Sequence, residues 1–111
     1  MQNFLAQDSK HLAVDTAVAN AATLNSTAIE MQNFKGACFQ LNITGTPTAG
    51  TFKLQESNDG VNYVDISGAT VAVSAVGTKI LTVKDVYADK VRAVYIATTG
   101  AVVVNIFAQA K

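Results

Sequence analysis

The run from Phe39 to Ile43 alternates apolar and polar residues without a break, reading Phe-Gln-Leu-Asn-Ile. In an extended strand this puts Phe39, Leu41 and Ile43 on one face and Cys38, Gln40 and Asn42 on the other, a split that a helix does not reproduce. Phe52 and Leu54 alternate with Lys53 and Gln55 in the same way. Val71 and Val73, then Ile80 to Val86, Val91 to Ala97 and Val102 to Phe107 add runs rich in β-branched and aromatic residues. Breaks with turn chemistry separate them, at Gly45-Thr-Pro47, Asp59-Gly60, Ser67-Gly68, Gly77 and Gly100. Short strands parted by such breaks predict an all-β protein, an antiparallel β-sandwich of jelly-roll or immunoglobulin-like type. The expected core runs from about residue 28 to 109. It buries Phe39, Leu41, Ile43, Phe52, Leu54, Val64, Ile66, Val94, Ile96, Val104 and Ile106.

A chain of 111 residues is long enough for one such core and too short for two. The expected division is an N-terminal arm, residues 1–24, and a β-sandwich domain, residues 25–111. HLAVDTAVANAATLNSTAIE, in the first quarter, fits a helix and a strand equally well. Its small side chains bury little apolar area at roughly 25 cal/mol per Å². Such a segment gains more by lying on a partner, which makes Phe4, Leu5, Leu12, Val14 and Val18 the candidate subunit contacts. The quartet MQNF at Met1 recurs at Met31, too short an echo to indicate a duplication.

Lys+Arg and Asp+Glu balance at eight each, for a formal charge of zero. Nucleic-acid and membrane-surface binding lean on a cationic surplus that is absent here. A neutral surface also leaves copies of the chain little repulsion to keep them apart. The first residues carry neither a basic stretch nor an apolar run of signal type, so the protein is expected to be made in the cytoplasm and not exported. One cysteine, Cys38, excludes an intrachain disulfide, and with one histidine, His11, it supplies too few soft ligands for a structural zinc site. As a thiol nucleophile and its base the pair is poorly placed, since Cys38 sits inside a strand pattern. Its face, opposite Phe39, Leu41 and Ile43, is either covered, by a second sheet or another subunit, or is a solvated Gln/Asn face.

LQESNDGVNYVDI, from Leu54 to Ile66, gathers Glu56, Asn58, Asp59, Asn62 and Asp65 around Gly60. A calcium loop with Gly60 at its sixth position would close on a glutamate at 66, where the chain has Ile66. The stretch reads instead as a hairpin turn with Gly60 in the left-handed conformation. Gly60→Val is therefore expected to cost more than Cys38→Ala, an ordinary change of about 1 kcal/mol. Gly45 to Gly50 lacks the Gly-Lys-Ser/Thr of a phosphate loop. Tyr63, Tyr87 and Tyr95 are candidate stacking residues for a sugar, although tyrosines at strand ends more often bury their rings. No catalytic residue, cofactor or metal is expected.

NSTAIEMQNFKGACFQLNITG, Asn25 to Gly45, resembles a pattern in small proteins of tailed bacteriophages, where a Thr-Ala-Ile-acidic-Met segment leads into an aromatic-Gly turn and an alternating strand. TFKLQESNDGVNYVDISG, Thr51 to Gly68, resembles their next hairpin, and KVRAVYIATTGAVVVNIFAQA is similar to their last strands. The resemblance implies a structural virion protein that binds capsid subunits and itself, as a head decoration, cement or minor capsid protein. It implies the major capsid protein or other virion proteins as partners, a homo-oligomer with a trimer favoured, and a place in the virion. The alternative function is a carbohydrate-binding β-sandwich module that uses the tyrosines.

Overall fold

A computed structural model describes residues 10–18, by their backbone, and residues 22–31 and 34–110. The strands are β1 (Lys10–Val18), β2 (Thr23–Asn25), β3 (Ile29–Glu30), β4 (Ala37–Gly45), β5 (Ala49–Ser57), β6 (Val64–Ala72), β7 (Gly77–Val83), β8 (Lys90–Thr99) and β9 (Val102–Ala110), and no helix occurs among the described residues. β1 pairs antiparallel with β9, β2 and β3 with β8, β4 with β7, and β5 with β6. The chain is thus one long two-stranded ribbon whose tip is the β5–β6 connection. Wrapping the ribbon sets β9 on β4 and β8 on β5. Two sheets result, in the orders β1-β9-β4-β7 and β2-β8-β5-β6, with β3 continuing the β2 edge along β8. That strand order is a jelly roll, which decides between the two sandwich types expected.

The core lies where the two inner faces meet. β4 contributes Ala37, Phe39, Leu41 and Ile43, β5 contributes Phe52 and Leu54, and β9 contributes Val102, Val104, Ile106, Ala108 and Ala110, all buried. Each large apolar side chain buried there stabilises the fold by about 1.5–3 kcal/mol. Where β2 gives way to β3 the edge ladder is kept by Ser26, whose Oγ accepts the Ala93 N–H at 2.9 Å while its own N–H donates to the Ala93 carbonyl at 2.9 Å.

The structure decides one alternative left open by the sequence and differs from three expectations. Of the helix, strand and arm alternatives for residues 1–24, the described part takes strand, since Lys10–Val18 pairs along its whole length with β9 of the same chain. Val64 is 62% exposed and Ile66 half-buried, because β6 is an edge strand and Val64 begins it at the ribbon tip. Ser67-Gly68 does not end a strand. The β5–β6 register shifts between Lys53 and Gln55, and Gly68 (φ 81°) absorbs the extra residues on β6 as a bulge. On β8 the inward positions are Val91, Ala93, Tyr95 and Ala97 rather than Val94 and Ile96. Val94 is nonetheless buried, on the opposite face, while Ile96 is half-buried.

Tyr95 enters the core where β5 has no side chain. A Cβ on Gly50 would lie 2.6 Å from the Tyr95 hydroxyl. The hydroxyl is buried with no hydrogen-bond partner among the described residues, and burial raises its pKa. An unsatisfied buried polar group costs about 1–3 kcal/mol. Tyr95→Phe is therefore expected to leave stability unchanged or to raise it. A lower midpoint in urea denaturation would show that the hydroxyl is paired in solution.

Candidate functional site

The ribbon tip holds the densest polar constellation. Asp59 Oδ1 accepts the backbone N–H groups of Val61 and Asn62, each at 2.8 Å, and the Ser57 hydroxyl at 2.9 Å. Its Oδ2 accepts from the Asn62 amide at 2.8 Å. Ser57 Oγ in turn accepts the N–H groups of Asp59 and Gly60, and Gly60 takes φ 75°. The donors of Asn62 first, then Val61 and Ser57, hold the Asp59 carboxyl far below the usual carboxylate range. The cluster is a self-satisfied turn, as the sequence indicates. Among the described residues no group of three or more His, Cys, Asp and Glu is placed to hold a metal ion.

The outer face of the β2-β8-β5-β6 sheet is laced with charge. Gln55 Oε1 accepts both Arg92 Nε at 3.1 Å and Nη2 at 2.9 Å, which turns its Nε2 toward Asp65 Oδ1 at 2.8 Å. Lys53 pairs with Asp65 at 3.1 Å. Gln55 first and Lys53 second hold the Asp65 carboxyl low. Tyr63 lies under Arg92, with the guanidinium carbon 3.8 Å from the ring centroid.

A pH dependence follows from the two lowered carboxyls. Each stabilises the native state while it is charged there, so the contribution is complete above the unfolded-state value near 4 and is lost as the pH falls toward the folded one. Urea midpoints are expected to fall from about pH 5 downward, and Asp59→Ala to flatten that fall. An identical acid profile in the variant would remove Asp59 as its source.

The outer face of the β1-β9-β4-β7 sheet is built differently. Register places Cys38, Gln40, Asn42 and Thr44 of β4 beside Thr78, Ile80 and Thr82 of β7 and Val103, Asn105, Phe107 and Gln109 of β9, with no charged residue in the set. Ile80 is 56%, Val103 45% and Phe107 46% exposed. Polar side chains run between them as a ladder. Thr78 donates to Asn42 Oδ1 at 2.9 Å, Gln40 donates to the same oxygen at 3.1 Å, and Asn42 donates to Asn105 Oδ1 at 3.4 Å. Sequence reasoning singled out Cys38, Gln40 and Asn42 but not Ile80, Val103 or Phe107. The available signal was the run of uncharged residues at the non-core parity of three strands.

Of the candidate subunit contacts, Phe4 and Leu5 lie outside the described residues. Leu12, Val14 and Val18 fall on β1 opposite Ala108, Ile106 and Val102. His11 and Cys38 both pair with Gln109, from opposite sides. They share a row but stand two strand spacings apart, roughly 10 Å between backbones. Cys38 is half-buried, accepts the Thr82 hydroxyl at 3.4 Å, and borders a shallow recess of about 310 Å³ with Lys84 and Gln109. The three tyrosines are not brought together as a platform: Tyr95 is in the core, Tyr63 is covered on one side by Arg92, and Tyr87 is 94% exposed.

No family model matches the chain, and no curated protein matches it. Among solved structures it is similar to the PBSX exported protein XepA, with a TM-score of 0.69 at 13% identity over 92% of this chain and 36% of XepA. It is similar to the SPBc2 prophage-derived protein YomS, with a TM-score of 0.54 at 11% identity over 91% of this chain and 94% of that one. It is also similar to the C-terminal CBM6, a carbohydrate-binding module, of the laminarinase LamC from Zobellia galactanivorans, with a TM-score of 0.55 at 12% identity over 93% of this chain and 99% of that one. At these identities the likeness is one of fold.

Proposed function

We propose that this chain is a non-catalytic structural protein of a phage-derived particle, one that binds capsid or other virion subunits and associates with copies of itself. The observation that carries the reading is the charge-free set that β4, β7 and β9 present on the outer face of their sheet. Interface cores are depleted of charge, and Ile80, Val103 and Phe107 exposed on an uncharged sheet face make that face an association surface or a liability. The opposite sheet, with its Lys53–Asp65 pair and Arg92, has the face of a surface kept in water. The phage-derived neighbours XepA and YomS support the virion reading, as does the use of jelly rolls in capsid proteins. A trimer is the favoured assembly, because decoration proteins match capsid symmetry, and a cyclic arrangement closes head-to-tail contacts.

Sedimentation equilibrium tests this. The full-length chain is expected to run as an oligomer, and Phe107→Glu or Ile80→Glu as a folded monomer, since an unpaired carboxylate buried in the contact costs roughly several kcal/mol. A monomeric wild type at high concentration overturns self-association. Unchanged masses in both variants move the contact off this face. Co-sedimentation with phage heads would then separate a capsid-bound role from self-assembly alone.

The second reading, a carbohydrate-binding module, is favoured by Tyr87, which stands fully open on the β7–β8 connection. The CBM6 neighbour shares the fold, and jelly rolls also serve as lectin domains.

A further inference from the structure

The connection from Lys84 to Asp89 is held at both ends and open in the middle. The Val86 N–H donates to the Lys35 carbonyl at 2.7 Å, and Val86 packs half-buried against the core. The Asp89 N–H donates to Asn58 Oδ1 at 3.0 Å, and the Asp89 carbonyl accepts the Met31 N–H at 2.7 Å. Between these anchors stand Tyr87 and Ala88. Asp85 takes φ 55°, the one positive value at a non-glycine position among the described residues. The backbone that carries Tyr87, which is 94% exposed, is thus anchored on both sides of it.

Two recesses flank that ring, of about 350 and about 460 Å³, and both are lined in part by Asn58, Asp85, Val86, Tyr87 and Ala88. These are at the lower end of the range for small-ligand pockets. Asp85, Asp89 and Lys35 line the first recess, and Glu56, Asp85 and Lys84 line the second. Carboxylates outnumber cations in each, even with Asp89 also 3.8 Å from Lys90. The Glu56 and Asp85 carboxylates make no hydrogen bond or ion pair among the described residues, and the Asn58 amide nitrogen has no protein partner there.

The geometry points to a saccharide-binding site in which Tyr87 carries the apolar face of one pyranose ring and the two recesses receive ring hydroxyls on either side. This rests on the carbohydrate reading above and names its site and ligand class. A sugar presents C–H groups on its faces and O–H groups around its edge, which matches an open aromatic ring bordered by carboxylates and an amide. Hydroxyl-to-carboxylate bonds are charge-assisted and short. The carboxylate excess selects a neutral or amino sugar and disfavours uronic acids, phosphates and nucleic acid. The anchored backbone lowers the ordering cost of binding. A protein contact through Tyr87 is the lesser fit, because two recesses of mixed carboxylate, amide and apolar lining border the ring in place of a flat, charge-depleted interface core.

The test is titration of the ¹⁵N-labelled full chain with cellohexaose, maltohexaose, laminarihexaose and chitohexaose, with hexagalacturonate as the anionic control. At least one neutral probe is expected to shift the amides of Asn58 and of residues 85–89, and hexagalacturonate none. Tyr87→Ala should weaken that probe about tenfold or more, while Tyr87→Phe, which keeps the ring, should stay within about threefold. Glu56→Gln with Asp85→Asn should weaken it by a smaller factor, in a chain whose spectrum shows it folded. If none of the neutral probes moves an amide, the module reading and the site fall together. Binding that survives Tyr87→Ala overturns the site and leaves the module reading standing. A smaller sedimenting mass for Tyr87→Ala, with sugar titration unchanged, assigns Tyr87 to a subunit contact and overturns the site. Tighter binding of hexagalacturonate overturns the ligand class.

Discussion

Phe39→Ala is expected to remove about 3–5 kcal/mol of stability, the range for deleting a buried phenylalanine ring. Phe39 is fully buried on β4, between Leu81 of β7 and Ala108 of β9. β4 itself is held by ladders to β7 and β9, which limits how far the surroundings can close into the space. Small domains have about 5–15 kcal/mol in total, so the variant should sit near the edge of folding at room temperature. Val64→Ala is the control, since Val64 is 62% exposed and its loss should fall within about 0.5 kcal/mol. Urea denaturation of the two variants compares them directly. A Phe39→Ala loss under about 1.5 kcal/mol would mean that the sandwich is looser around β4 than its burial indicates.

Gly100→Val should be at least as damaging, by a different route. Gly100 turns the chain from β8 to β9 with φ 92°, where a β-branched residue is strained, and a Cβ there would run into the Thr46 carbonyl oxygen. Thr46 belongs to the connection from β4 to β5, which is tied to the β8–β9 turn by Thr46 N–H to the Ala101 carbonyl at 3.1 Å and by the Thr48 and Thr99 hydroxyls at 2.6 Å. Both connections pass from one sheet to the other, so pushing them apart disturbs the register of β4 and β9 together. Backbone strain of about 1–3 kcal/mol and overpacking of about 1–3 kcal/mol combine here. Gly68→Val isolates the first term, because Gly68 has φ 81° but open space where a Cβ would go. Equal losses in the two variants, read as urea midpoints, would show that the clash at Thr46 is relieved at little cost.

The residues alone were enough to read the all-β class, the alternation of β4, β5 and β9, and the turn at Ser57 to Gly60. Each is set by local chemistry: a period of two, a glycine at positive φ, and Asp59 and Ser57 bonding their own backbone. The face of β8 was not legible, because Val91, Ala93, Val94, Tyr95, Ile96 and Ala97 are apolar at both parities. Only packing chose, by giving the Tyr95 ring the gap above Gly50 on a neighbouring strand. The same holds for the candidate sites. Nothing local distinguishes Tyr87 from Tyr63 or Tyr95, and their opposite fates come from Arg92, from Gly50 and from an anchored connection that presents Tyr87 to solvent. The partner of β1 is β9, at the other end of the chain. Small side chains such as those of β1 signal no partner, and strand pairing draws its energy from backbone bonds and from contacts with whichever strand the wrapped ribbon brings alongside. Sequence sets which segments extend, while the closing of the roll decides which faces are buried, which stay charge-free and open, and which ring is left in water.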